Sequence, residues 1–215
     1  MTTPADLRAR LAEDYAPLRP LPPPAARALW ITPLAALALV AAPTYFDVRV
    51  DADRLGGLLT WGVSIAQAAA GMVLIAAALR ESVPGRAWRP SQLAAWTAAP
   101  VLIVAAVTYV SYGVSPMALD RGWWDVGLLC LSGSAATALP IVALANVLAA
   151  RAYPTRPLLI GVLSGLGAGL MADAGWRIFC HFSEPAHVLA AHLGGVVVSA
   201  LAGAALAVTL RRPFR

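Results

Sequence analysis

LLIGVLSGLGAGLMADAGWRIF, residues 158–179, holds one acid, Asp173, and one base, Arg177, in a run that is otherwise apolar or small. At 1.5 Å per helical residue it reaches about 33 Å, enough to cross the roughly 30 Å hydrocarbon core of a bilayer. A membrane strand would need about ten residues of alternating polarity. This run is apolar on all sides, so it reads as a transmembrane helix. Gly161, Gly165 and Gly169 recur at intervals of four and make a ridge of small residues on one helix face.

Five further runs of this kind lie at 28–46, 57–79, 94–113, 125–149 and 189–210. The chain is 60% hydrophobic and 13% charged, where soluble domains carry about 25% charged residues. The expected fold class is therefore all-α: a polytopic membrane bundle of six transmembrane helices over residues 28–210. A short cytoplasmic segment, 1–27, precedes it, and a cytoplasmic tail, 211–215, follows. The first apolar run comes after a polar, proline-rich lead, so it reads as a retained anchor and not as a removed signal. Seven tryptophans stand near span ends, as interface anchors do. Gly195, Ser199 and Gly203 give the sixth run a second small-residue ridge. Whether the two ridges meet each other or a second copy stays open, so a homo-oligomer stands beside the lipid bilayer among the expected partners. Gln67 and Asn146, polar within spans, read as inter-helix hydrogen bonds.

All 16 basic residues are arginine, and the net charge is +5. Placing the N-terminus inside puts twelve of them in the cytoplasm and leaves Arg49, Arg54, Arg121 and Arg177 at the outer side. The positive-inside rule then sets both termini in the cytoplasm. No basic helix or aromatic-interleaved patch points to DNA or RNA, so no direct nucleic-acid contact is expected.

The leading segment has two parts. TPADLRARLAEDY opens with Thr3, Pro4 and Asp6, suited to an N-cap, a first turn and a capping box. Leu7, Leu11 and Tyr15 follow at spacings of four, one above the other on a helix face. So short a helix is marginal alone in water. PLRPLPPP, residues 17–24, then favours an extended, semi-rigid spacer. An adhesive face on a stiff stalk suits docking to a partner.

The chemistry-bearing residues gather on the other side. Cys180 stands where the fifth span leaves the membrane, and Cys130 lies about 7 Å inside the edge at which the fourth enters. The thiols share a depth, and in an oxidising periplasm they could form a disulfide if their α-carbons came within roughly 4.4–6.8 Å. Small apolar filling is the bland alternative for each. His181, His187 and His192 follow Cys180. Thiolate with imidazole is a ligand set for zinc, cadmium and similar ions, and Cys130, Cys180, His181 and His192 are the candidate ligands. The spacing matches no standard zinc motif, and His187 also reads as an interfacial residue. Asp173 precedes Arg177 by four residues, a candidate intramembrane pair. A membrane protein passing electrons from a thiol pair to a quinone is the rival reading, though no CxxC is present.

The order of these pieces resembles the NrsF family of six-span anti-sigma factors. The resemblance is carried by DLRARLAEDYAPLRPLPPP, by LTWGVSIAQ with LRESVPGR, by Cys130 in LLCLSGSAATALP, and by the long stretch from ARAYPTRPLLIG through Cys180 to AAHLGG. It implies a non-enzymatic inner-membrane protein that holds an extracytoplasmic-function sigma factor away from RNA polymerase. It further implies that the N-terminal segment makes that contact and that Cys130 and Cys180 sense heavy metal or oxidative stress. No cofactor is required on this reading, beyond a transient metal ion at the cysteine pair. Members often have Cys-Pro where this chain has Cys180-His181, which leaves metal and oxidant both open as the signal.

Overall fold

The structure is a computed structural model that describes residues 3–13, 20–119 and 122–210. Tyr15 and the C-terminal segment 211–215 lie outside the described residues. Among those described there is no strand, and six helices are long and apolar enough to cross a membrane. They follow α1 (Pro4–Glu13) and are α2 (Pro24–Phe46), α3 (Ala52–Glu81), α4 (Pro90–Val114), α5 (Trp124–Ala150), α6 (Pro157–Phe179) and α7 (Pro185–Thr209).

The capping signal at the start of the chain is realised. Asp6 Oδ2 accepts from the Thr3 backbone N–H at 2.9 Å, and Thr3 Oγ1 accepts from the Asp6 N–H at 3.2 Å. The side-chain bond from Thr3, backed by its backbone bond, holds the Asp6 carboxyl below the usual carboxylate range. Leu7 is 56% exposed, and Leu11 lies on the same helix.

The stretch 158–179 is the axis of the bundle. In α6, 78% of the apolar window is buried, against 17% for α4 at the periphery. Helices α2, α3, α5 and α7 pack around it. Its small residues make this possible. A Cβ built on Gly161 would collide with the Gly203 carbonyl, and one on Gly165 with the Ser199 carbonyl. The two ridges therefore meet within one chain, backbone against backbone, which is how helices gain contact in lipid. A second close approach was not evident from the sequence: a Cβ on Gly71 of α3 would lie 2.5 Å from the Gly167 carbonyl, and the reverse holds equally.

Four helix starts differ from expectation by four or five residues: α3 begins at Ala52 instead of 57, α4 at Pro90 instead of 94, and the first and last also begin earlier. The first membrane helix starts at Pro24 instead of Ala28, because a proline in the first turn needs no N–H partner. This draws Arg27, expected in the tail, into the bundle, where it is 1% exposed. The sixth starts at Pro185 instead of 189, for the same reason. A π-helical turn, Val188–His192, then follows in α7, and similar turns occupy Leu58–Gly62 and Trp123–Gly127 at the starts of α3 and α5. All three lie at the end of the bundle where the cysteines are.

Candidate functional site

Cys130 stands in the first turns of α5, and Cys180 directly follows α6, its N–H bonded to the Trp176 carbonyl at 2.8 Å. Both are free thiols, and both are buried. Their sulfurs lie 3.7 Å apart. His187 brings its Nε2 to 3.4 Å from the Cys180 sulfur. With His192, the four side chains place one donor atom each within 4.8 Å of all the others.

The π turn explains how α7 supplies both imidazoles. Five residues advance an α-helix by about 500°, which leaves His187 and His192 roughly 140° apart around the axis. A π turn closes i to i+5, so residues five apart come to one side. The two rings accordingly sit 5.3 Å apart, centroid to centroid. Sequence spacing read as ordinary helix hides this pair.

His192 is held from behind. Its Nδ1 lies 2.7 Å from Asp173 Oδ1, and the other carboxylate oxygen accepts from Gln67 Nε2 at 2.7 Å. Gln67 also donates to the Leu170 carbonyl, so the inter-helix bond expected of it is present, joining α3 to α6. A proton shared between Nδ1 and the carboxylate leaves Nε2 free for the sulfurs, the arrangement that orients histidines at metal centres. Asn146 instead turns to the Val142 carbonyl of its own helix, at 2.9 Å.

Two expectations are corrected. Asp173 and Arg177 form no ion pair. Asp173 is taken by His192 and Gln67, while Arg177 reaches Thr108 Oγ1 of α4 at 3.4 Å. His181 is absent from the donor set and His187 takes its place. The His181 ring packs on Phe182, centroids 4.1 Å apart, beside a cavity of about 260 Å³ that reaches both cysteines. The chain is extended at Cys180 and turns helical only at Pro185, so His181 lines that cavity outside the donor set while His187 folds back onto the Cys180 sulfur.

The loops fix this geometry. Arg49 donates its backbone N–H to the Ile178 carbonyl at 2.9 Å and its Nη2 to the His181 carbonyl at 3.2 Å. Its Nε meets Asp51 Oδ1 at 2.6 Å. Burial alone would raise the Asp51 carboxyl, yet the paired Arg49 guanidinium holds it below its ordinary value. The Ser183 and Glu184 N–H groups both donate to the Met117 carbonyl, which ties the α6–α7 loop to the α4–α5 loop. Of the side chains in these loop bonds, only Arg49 is singled out by the sequence, as an outer-side charge. Arg49 and Asp51 two residues apart were the one signal available.

The donor separations can be tested against a metal. Tetrahedral bonds of about 2.3 Å to sulfur set the sulfurs about 3.75 Å apart, and a sulfur and a nitrogen at about 2.05 Å roughly 3.55 Å apart. The structure has 3.7 Å between the sulfurs and 3.4 Å between Cys180 and His187. These two edges match a tetrahedral site, and with all four donor atoms within 4.8 Å of one another the two thiols and two imidazoles could close on zinc or a similar soft or borderline ion.

The family model described as NrsF, negative regulator of sigma F, matches residues 11–212. The chain belongs to the NrsF family. An NrsF protein is a negative regulator of a sigma factor, which makes it a regulator with a sigma factor as partner. No curated protein and no solved structure matches the chain.

Proposed function

We propose that this NrsF protein is an anti-sigma factor of the inner membrane, with both termini in the cytoplasm, that sequesters an extracytoplasmic-function sigma factor through its N-terminal segment. Leu7, Leu11 and Tyr15 form the docking face. Release follows when a soft metal ion, arriving as a signal from the periplasm, is captured by Cys130, Cys180, His187 and His192. The observation that carries the metal reading is the agreement of the two donor separations with the edges of a tetrahedron. A disulfide would need only the sulfurs. Two buried imidazoles converging on them, one oriented by Asp173, favour capture of a metal over oxidation.

On this reading each thiol gives up its proton as the metal binds, and His187 and His192 bind as neutral imidazoles. Donors that begin on three helices become bonded to one centre, which favours one arrangement of α5, α6 and α7 over others. A ligand shifts such an equilibrium only by its differential affinity for the two states, and a difference of about 2.7 kcal/mol changes sigma occupancy roughly a hundredfold.

The test is co-purification. Tagged wild-type protein should bring down a soluble sigma factor that is lost after the cells are exposed to cadmium. A Cys130→Ser, Cys180→Ser variant should keep its sigma factor through the same exposure. Equal release from the variant would remove the sensor. Unimpaired capture by a Leu7→Asp, Leu11→Asp variant would remove the docking face.

A further inference from the structure

Arg27 stands at the opposite end of the bundle from the cysteines, next to the proline stretch, and its own N–H bonds the Pro23 carbonyl at 3.0 Å. The side chain is buried, yet among the described residues no carboxylate pairs with it. Its guanidinium instead forks between two backbone carbonyls. Nη1 donates to Leu148 and Nη2 to Leu79, each at 3.0 Å. Both carbonyls belong to the last turn of a helix, α5 and α3 respectively. The N–H four residues on is engaged elsewhere in each case: Ala152 bonds Ala149, and Val83 bonds Arg80. Each helix C-terminus carries about half a negative charge, so the two ends together match one guanidinium. A single arginine thus caps two helices, sharing the Leu79 carbonyl with the Ser82 hydroxyl, which donates to it at 2.7 Å.

Those two helices carry sensor-cluster groups farther along. Helix α5 bears Cys130, about 27 Å from Leu148 at helical rise. Helix α3 bears Gln67, which holds Asp173. We propose that Arg27 is the positioning residue through which the cysteine cluster acts on the N-terminal segment, a deepening that rests on the sensor reading above. The planar fork requires one separation of the Leu79 and Leu148 carbonyls. A displacement of α5 against α3 withdraws one acceptor and frees the foot of the proline stalk. Arg151, just past the end of α5, adds a like charge that favours departure once an acceptor is gone.

The experiment is hydrogen exchange of residues 25–31 in the full chain in nanodiscs, with and without cadmium chloride, on wild type, Arg27→Gln and Arg27→Lys. Cadmium affinity is measured alongside. Wild type should exchange about tenfold faster with the metal bound. Arg27→Gln should exchange fast in both conditions while binding cadmium within twofold of wild type, and Arg27→Lys, whose donors sit on one compact nitrogen in place of the planar fork, should retain only a small response. A full cadmium-dependent change in Arg27→Gln, or a wild-type response in Arg27→Lys, overturns the proposal and leaves the sensor intact. Wild type that binds cadmium with no change at 25–31 overturns the coupling. Wild type that binds no cadmium sinks the sensor reading and the proposal with it. Should Arg27→Gln lose cadmium binding through misfolding, the lysine variant decides between these outcomes.

Discussion

Exchanging His187 for alanine separates the observed donor set from the one spacing suggests. Four-ligand zinc sites bind with apparent free energies of about 10–16 kcal/mol, so an equal share per donor is roughly 2.5–4 kcal/mol, or about 60- to 700-fold in affinity. His187→Ala should weaken zinc or cadmium binding by that factor. Its Nε2 contacts the Cys180 sulfur while its Nδ1 has no partner, so the substitution breaks no other hydrogen bond. His181→Ala should leave affinity within about twofold, since that ring packs on Phe182 outside the cluster. Competition against a chromophoric chelator, with reduced protein in detergent, measures both. Equal affinity for His187→Ala and wild type, or a larger loss for His181→Ala, would refute the assignment.

Three further outcomes are expected. Asp173→Asn should lower metal affinity about 10- to 100-fold in the same titration, because the charge behind His192 is lost while the acceptor oxygen remains. Gly165→Val forces a branched side chain onto the Ser199 backbone and should cost at least about 3 kcal/mol, read as a lower denaturant midpoint in detergent. The Thr3–Asp6 cap should be intact at neutral pH and down through the ordinary carboxylate range. It should be lost only as pH falls through the depressed value of Asp6, seen as faster hydrogen exchange at the start of α1.

Much of the architecture was legible because bilayer thickness and helical rise leave few choices for runs such as 158–179. The glycine spacing marked which faces come close. It could not say that Gly161 and Gly165 meet α7 of the same chain, since either partner satisfies a small-residue ridge. The cysteines were legible as a pair from their common depth. His187 was not, because the signal lies in a π turn that redirects a five-residue interval, and nothing in VLAAH announces it. The Asp173–Arg177 expectation failed for a related reason. Helical spacing places the two on one face, but Asp173 is surrounded by better-placed donors from α3 and α7. Arg27 was counted as loop charge, since no sequence rule anticipates that two helix ends will converge on it.

The seam between α6 and α7 has a mechanical consequence. Where Gly161, Gly165 and Gly203 meet carbonyl groups directly, the side chains beside them are small, such as Ala207 and Ser199. Adjustment of most packed interfaces proceeds by rotamer exchange, and this one has few rotamers to exchange. Any strain imposed at the sulfurs is therefore not dissipated along the axis of the molecule, and α6 with α7 act as a fixed frame against which only the outer helices can travel.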